Sequence, residues 1–287
     1  MQFYGLAMRT IRDTGAVFRS ASLPSACRWT VSALTNVRTV YRERSLRAAD
    51  FSWKKHGAVF RTRHGPVVRL PGAYTAGARE MYCRNVYLRT GLSMPTSGWT
   101  IDLGANRGLF SVWAACAGAQ AVAIEAQQDF EGEIRELALY NDVGDRVHIV
   151  TALIASSRGD TRAIGVLEDD GRWESATHAG ALRPGRMTLR QILDKYDIDR
   201  VGLLKMDIEG AEFSVLSSED DLTWLDIVDQ IALEVHPDFG DAVALVKVLQ
   251  AAGFAVTLCD NDGHVVAPTD ETLNYLYCRR LVVASGP

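Results

Sequence analysis

The sequence predicts an α/β fold built on a doubly wound, mostly parallel sheet, preceded by an N-terminal α/β extension. Three observations support this prediction. From residue 99 onward, short apolar segments alternate with segments of helical length and period. Glycines or acidic residues follow several of the apolar segments, as they do at the carboxyl ends of parallel strands. The last two apolar segments are joined by a polar turn, residues 260–263, and by no helix, so they should pair antiparallel.

The main part of the chain is predicted element by element. Strands that alternate with helices imply right-handed crossovers, and therefore a parallel sheet with helices on both faces. The predicted strands cover residues 100–103, 121–124, 147–151, 201–206, 228–235, 254–258 and 273–278. The predicted helices cover residues 109–117, 130–140, 211–216 and 242–252.

The N-terminal segment has a different character. Residues 1–50 carry eight arginines against three acids, a net charge of +5, whereas the rest of the chain carries −9. We expect helices over residues 11–18 and 29–46, a hairpin over 57–71, and a helix over 76–91 that ends at Gly91. Residues 1–75 are expected to form a cap or a homodimer contact, and residues 76–287 the main domain. Docking of the arginine-rich face on a membrane surface is the alternative.

Composition limits the class of protein. The five cysteines are widely spaced and form no CxxC pair, which argues against a zinc module or a disulfide framework and fits a reducing cytoplasm. No run approaches the roughly 20 apolar residues that span a bilayer. The main part is acidic, whereas a nucleic-acid phosphate backbone needs a basic face. We therefore expect a cytoplasmic protein that acts on a small-molecule acceptor, with no nucleic-acid partner and no transmembrane segment.

Two glycines and an acid follow the first predicted strand, in the run Asp102-Leu103-Gly104-Ala105-Asn106-Arg107-Gly108. Gly104 allows a sharp turn, and Gly108 lets the next helix begin close to the loop. An acid at this position suits a ligand that carries an ammonium group. Glu125 ends the next strand, where a carboxylate can accept hydrogen bonds from both ribose hydroxyls. An ordinary tight turn and a solvated glutamate are the alternatives, but together the two features favour an adenosyl ligand.

Two more polar groups follow later strands. The block Lys205-Met206-Asp207-Ile208-Glu209-Gly210-Ala211-Glu212 places four charges at the mouth of a core strand, which is costly unless they are used. Lys205 can pair with one of the acids, while helix capping is an alternative role for Asp207 or Glu209. Glu234 and His236 end the next strand, and histidine is the usual general base near neutral pH. A purely structural histidine is the alternative.

These motifs resemble the FkbM family of methyltransferases over residues 82–253. The family's hydrophobic-Asp-hydrophobic-Gly-Ala-Asn-x-Gly motif is similar to residues 101–108, and its Lys-x-Asp-x-Glu-Gly-x-Glu block matches residues 205–212 at every defined position. Its Glu-x-His strand end and Thr-Leu lead-in are found at residues 234–236 and 188–189, while its Glu-Pro is Glu125-Ala126 here. The resemblance implies the Rossmann-like sheet of class I methyltransferases. It also implies methyl transfer from S-adenosylmethionine to a hydroxyl of a sugar, glycolipid or polyketide.

On this hypothesis each candidate residue has an expected role. His236 is the leading candidate for the base, with Glu234 orienting it and Lys205, Asp207 and Glu209 near the transferred methyl group. Alternatively, Mg²⁺ would activate the hydroxyl, bound by Asp207, Glu234 and His236. The adenine of the donor is expected near Ala152 and Leu153. The full set of expected donor-binding residues is Asp102, Gly104, Ala105, Asn106, Gly108, Glu125, Ala126, Ala152 and Asp207.

Residues 168–186 form a long polar segment that is expected to be a lid, with a disordered insertion as the alternative. Within it, Trp173 is a candidate for stacking on the acceptor, which Glu209 and His236 would also bind. Two other functions are the alternatives to methyl transfer. One is a non-catalytic methyltransferase-fold scaffold. The other is an NAD-dependent oxidoreductase, which needs a GxGxxG loop and a Tyr-x-x-x-Lys pair that the sequence lacks.

Overall fold

The chain begins with four helices and a hairpin. The computed structural model describes residues 2–62, 65–156, 165–167, 173–175, 185–217 and 220–281. Its first helices are α1 (Gln2–Ser20), α2 (Leu23–Thr35), α3 (Val37–Glu43) and α4 (Arg47–His56), followed by the antiparallel strands β1 (Ala58–Arg61) and β2 (Val67–Leu70). The hairpin prediction is confirmed. The helix predicted over residues 29–46 is divided at Asn36, whose φ of −102° and ψ of 19° leave helical geometry, and α4 was not predicted.

Buried aromatic rings join this extension to the rest of the molecule. The Trp29 indole donates a hydrogen bond to Asp50 over 2.7 Å, and the Trp53 indole donates one to the Ser25 carbonyl over 2.9 Å. Both rings are fully buried, so each needs such an acceptor for its N–H. Neighbouring rings with centroids 4.9–6.1 Å apart continue into the main part of the chain in the order Trp29, Trp53, Phe60, Tyr82 and Trp113.

The main sheet confirms the predicted α/β architecture. Its eight strands are β3 (Trp99–Leu103), β4 (Gln120–Glu125), β5 (Val147–Ile154), β8 (Gly185–Met187), β9 (Val201–Met206), β10 (Gln230–Glu234), β11 (Phe254–Asp260) and β12 (Leu273–Arg280); β6 (Gly165–Leu167) and β7 (Trp173–Ser175) pair separately. The strand order is β11-β12-β10-β9-β3-β4-β5-β8. Strand β12 runs antiparallel to both β10 and β11, as predicted, and the other pairings are parallel.

Helices cover both faces of the sheet. They are α5 (Leu109–Ala117), α6 (Asp129–Tyr140), α7 (Leu189–Lys195), α8 (Glu212–Val215) and α9 (Ala242–Ala251). Alternate strand residues enter opposite cores: Ala121 and Ala123 pack with α5, α6 and the N-terminal helices, whereas Val122 and Ile124 pack with α7 and α9. In the described part of the chain, no helix combines the length and the apolar character needed to cross a membrane.

The helix predicted over residues 76–91 is wrong in its second half. A helical segment of π type covers Arg79–Arg84 and ends because Asn85 adopts a left-handed conformation, with φ of 53°. The chain then crosses the carboxyl edge of the sheet as a loop, and this loop carries Tyr87. Gly91 therefore does not cap a helix, although its φ of 87° does need glycine.

Candidate active site

The switch point of the sheet lies between β3 and β9, where the chain changes from building one half of the sheet to building the other. At such a point the loops after the two strands diverge to opposite faces and leave a crevice for a ligand. All the predicted strand-end motifs follow β3, β4, β9 and β10, which are neighbours in the sheet. The topology therefore brings the glycine loop, Glu125, Asp207 and Glu234 to one edge.

Asp102 and Lys205 hold the first two of these strands together below the crevice. They occupy paired positions on β3 and β9, with Lys205 Nζ 3.2 Å from Asp102 Oδ1. Ser111 Oγ donates a 2.6 Å hydrogen bond to the second oxygen of Asp102, whose side chain is 0% exposed. Asp102 therefore holds the two strands together from a buried position, and its expected contact with the donor stays a prediction.

Lys205 also fixes the loop after β3. Its ammonium donates to the Gly104 carbonyl oxygen over 2.7 Å and lies 3.7 Å from Asp207 Oδ2. Burial alone would lower the pKa of this ammonium, but the charges of Asp102 and Asp207 outweigh burial and raise it. Lys205 is thus a permanent cation that positions the loop and one carboxylate at the crevice.

The glycines of the loop are required by close packing. Gly104 has φ of 76°, and a side chain there would overlap the backbone carbonyl of Asp207. Gly108 has φ of 78°, and a Cβ there would lie 2.9 Å from Ile134 on α6. Gly108 therefore packs closely against helix α6. Between the two glycines, Ala105 is buried and Asn106 is exposed.

Glu125 ties two loops together at the adjacent strand end. One carboxylate oxygen accepts the backbone N–H of Asn106 over 2.8 Å, and the other accepts that of Gln127 over 2.9 Å. Burial raises the pKa of Glu125, although these two bonds oppose the effect. Each carboxylate oxygen can accept a second hydrogen bond. The remaining expected donor contacts are less polar: Ala126 and Leu153 are half-buried, and Ala152 lies in the core.

The Tyr87 hydroxyl lies between two carboxyl groups, 2.9 Å from Asp207 Oδ2 and 2.8 Å from Glu234 Oε2. A phenol has one proton and can donate to only one of them. Burial and then the Asp207 charge raise the pKa of Glu234 to about 8. The raised pKa favours the protonated form of Glu234, which can donate to Tyr87 while Tyr87 donates to Asp207. One chain of hydrogen bonds then satisfies all three groups.

His236 is held between two other acids. Its Nε2 lies 2.8 Å from Glu209 Oε2, and its Nδ1 lies 3.0 Å from Glu212 Oε1. Glu212 is fully buried and also accepts the backbone N–H of His236 and of Gly210. Burial acts to lower the pKa of the ring, but its bonds with Glu209 and Glu212 outweigh burial and raise the pKa to about 11. The two carboxyl groups therefore favour the protonated form of the His236 ring.

This arrangement corrects two expectations. The partners of the ring are Glu209 and Glu212, so Glu234 does not orient His236, whose role as a base stays a prediction. Among the described residues, the metal-type cluster is Asp207, Glu209 and His236, with ligand atoms within 4.8 Å of one another. Glu234, one of the expected Mg²⁺ ligands, is bonded to Tyr87 instead. The cluster therefore differs from the expected Mg²⁺ ligand set in having Glu209 in place of Glu234.

Sequence reasoning missed Tyr87 and the role of Glu212. Tyr87 lies within the second half of the helix predicted over residues 76–91, which is wrong, and it is separated from its partners by 120 and 147 residues. Glu212 was noted as part of a motif, and its burial beside His236 was not foreseen. Much of the expected lid, residues 168–172 and 176–184, lies outside the described residues. Trp173 belongs to β7, and its side chain also lies outside what the structure describes.

The strand order with an antiparallel β12 gives the chain the Rossmann-like sheet of class I methyltransferases, with the acidic site at its switch point. This class of fold implies S-adenosylmethionine as the methyl donor. Residues 102–256, more than half of the chain, match the Methyltransferase FkbM domain. The chain belongs to the FkbM methyltransferase family.

Two curated proteins are similar to parts of the chain. The AMB antimetabolite synthetase AmbE of Pseudomonas aeruginosa is 28% identical over 229 residues, which cover 63% of this chain and 10% of that protein. Methyltransferase 1 of Beauveria bassiana is 37% identical over 84 residues, which cover 29% of this chain and 32% of that protein. The chain thus spans a minor part of the length of either relative.

Solved structures with a similar fold include the METTL16 methyltransferase domain, with 13% identity and a TM-score of 0.46 over 82% of this chain and 78% of that one. The structure of WbdD is also similar, with 12% identity and a TM-score of 0.39 over 63% of this chain and 35% of that one.

Proposed function

We propose that this methyltransferase transfers the methyl group of S-adenosylmethionine to a hydroxyl oxygen. The observation that carries the proposal is the hydrogen-bonded chain from Asp207 through Tyr87 to Glu234. Methyl transfer to a hydroxyl needs a group that takes up the hydroxyl proton, and its pKa should lie near the working pH. Glu234, whose burial raises its pKa to about 8, meets that requirement.

The donor would bind across the glycine loop, at the switch point. Glu125 would accept the ribose hydroxyls with its remaining lone pairs, and the exposed Asn106 would flank the ribose. Ala126 and Leu153 would border the adenine. When bound, the donor supplies a methyl group on a positively charged sulfur that is already activated for displacement. The part-exposed Asp207 would face this cation, with Lys205 holding it in place.

The acceptor proton would move inward through the chain of hydrogen bonds. Asp207, which is the more exposed acid, would accept the proton of the acceptor hydroxyl while the methyl group passes from the donor sulfur to that oxygen, with S-adenosylhomocysteine as the leaving group. Asp207 then passes a proton to the Tyr87 oxygen while Tyr87 gives its own proton to an ionised Glu234. At the end Asp207 is again a carboxylate, Tyr87 is neutral and Glu234 holds the proton. The reactive form is therefore the one in which Glu234 begins without a proton.

Glu209 and His236 would position the acceptor. The Glu209 carboxylate is partly exposed beside Asp207, and it is bonded to His236. An ionised carboxylate there can accept a neighbouring hydroxyl of the acceptor. A sugar, glycolipid or polyketide acceptor, as the family resemblance implies, offers such a second hydroxyl. Trp173 remains our candidate for stacking against it.

Calorimetry and product analysis test the proposal separately. S-adenosylhomocysteine should bind the wild-type protein, and binding should weaken at least tenfold in Glu125→Ala, because a buried charged acceptor is lost. Methyl transfer to a panel of sugars, glycolipids and polyketides is then measured by mass spectrometry. The expected product carries the methyl group on oxygen. A protein that binds no S-adenosylhomocysteine contradicts the donor, whereas N- or C-methylated products contradict the acceptor chemistry.

A further inference from the structure

Helices α2 and α3 present apolar side chains to solvent. In α2, Leu23, Val31 and Leu34 are 68%, 59% and 69% exposed and share one side of the helix, at spacings of i, i+8 and i+11. The opposite side, with Trp29, is packed into the core. In α3, Val37 and Tyr41 are 57% and 53% exposed and lie one turn apart. Apolar residues at these spacings are typical of a helix face that packs against another surface.

Arginines accompany these apolar residues. Arg38 and Arg42 are exposed on α3, and Arg44 and Arg47 are exposed immediately after it. The one acid in residues 23–47, Glu43, lies beside Arg42 at 3.2 Å. Residues 23–47 carry five arginines against that single acid. We call the exposed residues Leu23, Val31, Leu34, Val37, Arg38, Tyr41 and Arg42 the basic apolar face.

We propose that the basic apolar face binds the surface of an anionic lipid membrane, with α2 and α3 lying in the plane of the headgroups. Apolar side chains enter the boundary between headgroups and acyl chains, and arginines bind the lipid phosphates. This combination of exposed apolar residues and excess positive charge is that of a helix that lies on a membrane. The inference concerns binding of the whole protein to lipid and does not depend on the acceptor.

Charge is the reason for choosing lipid over a second copy of the chain. Two basic apolar faces packed together would bring their arginines into one interface with only Glu43 from each copy to oppose them. Like charges at an interface oppose association, whereas anionic headgroups neutralise the arginines. The end of α3 also reaches a cavity of about 420 Å³ that Arg44 lines together with Arg84 and Asn274, close to the start of β12. A protein bound to lipid through this face would therefore keep the β12 end of the sheet's carboxyl edge near the membrane.

Vesicle sedimentation of the full chain tests the proposal. The probes are vesicles of phosphatidylcholine alone and vesicles that also contain phosphatidylglycerol. We expect the protein to sediment with the anionic vesicles and to be released by high salt. Val31→Ser with Leu34→Ser should weaken binding, and Arg38→Gln should weaken it roughly fivefold, the effect of one positive charge near such a surface.

Matched controls lie elsewhere on the surface. Val265→Ser removes an apolar side chain that is 72% exposed on the turn between β11 and β12, and Lys247→Gln removes an exposed charge on α9. Neither control should change vesicle binding, and circular dichroism checks that every variant is folded. The proposal is overturned if the protein stays in solution with anionic vesicles, or if the control variants lose binding equally. It is also overturned if Val31→Ser with Leu34→Ser abolishes a dimer, measured by sedimentation velocity, without affecting vesicle binding.

Discussion

Lys205 Nζ lies 3.2 Å from Asp102 Oδ1 across strands β3 and β9, and both side chains are buried directly beneath the glycine loop. Removing one partner leaves the other charge buried without its counterion. Lys205→Met should therefore lower the free energy of unfolding by about 3 to 5 kcal/mol, measured by urea denaturation. Lys205→Met combined with Asp102→Asn should be less destabilised than the sum of the two single variants.

The exposed pair Arg200 and Asp229, with Nε 2.9 Å from Oδ2, is the matched control. Arg200→Met should leave the unfolding midpoint almost unchanged, because solvent screens an exposed pair. If Lys205→Met behaves like Arg200→Met, the ion pair does not hold the two strand ends together.

Tyr87→Phe removes the hydroxyl that links Asp207 to Glu234 and keeps the ring. We expect turnover to fall on the order of 100-fold, the scale of a lost proton-transfer group, while S-adenosylhomocysteine affinity is retained. Tyr275→Phe is the matched control, because it removes the hydroxyl of a neighbouring ring, with centroids 5.9 Å apart, and also keeps the ring. Equal losses of turnover in the two variants would mean that the Tyr87 hydroxyl has no specific role in the relay.

The pH dependence of turnover tests Glu234 directly. Because the relay begins with an ionised Glu234, wild-type turnover should rise with pH through about 8, the raised pKa of that carboxyl group. Glu234→Gln cannot accept the proton and should lose both this rise and most of the turnover. A wild-type profile that is flat across this range would assign the proton to another group.

The same carboxyl group makes stability depend on pH. The folded protein keeps the Glu234 proton up to a pKa of about 8, whereas the unfolded chain releases it near the ordinary value of 4.5. Between these values the unfolded chain binds fewer protons, so stability falls as pH rises. His236 acts in the same direction, because its pKa is raised from 6.5 to about 11 and its stabilisation is lost as pH rises between them.

Glu234→Gln separates the two contributions, since the variant keeps His236. Its stability relative to the wild type, from urea denaturation at each pH, should increase from about pH 4.5 and level off above about pH 8. A difference that does not change with pH would show that Glu234 titrates normally in the folded protein.

Strand ends were predictable from the sequence, whereas side-chain pairing was not. Apolar segments and the turns after them place Asp102, Lys205 and Asp207 at one sheet edge, because parallel strands end together. No such pattern marks Tyr87, which reaches the edge from a loop that begins where Asn85 ends a helix with its left-handed backbone. The sequence also does not show which acidic side chain bonds to His236 and which bonds to Tyr87. In the structure Glu212, at the start of α8, bonds to His236, while Glu234, at the end of β10, bonds to Tyr87.

The charge of His236 can be measured without any acceptor. Because Glu209 and Glu212 each bond one ring nitrogen, nitrogen chemical shifts should show both nitrogens protonated at pH 8, well above the ordinary pKa of 6.5. Glu209→Gln removes one of the two charges and should lower the pKa of His236. His264, which is exposed and bonded to Asp260, serves as the comparison in the same spectrum. Because the relay through Tyr87 uses no metal ion, turnover should also survive EDTA. A neutral His236 at pH 8, together with loss of turnover in EDTA and recovery with Mg²⁺, would restore the metal mechanism in place of the relay through Tyr87.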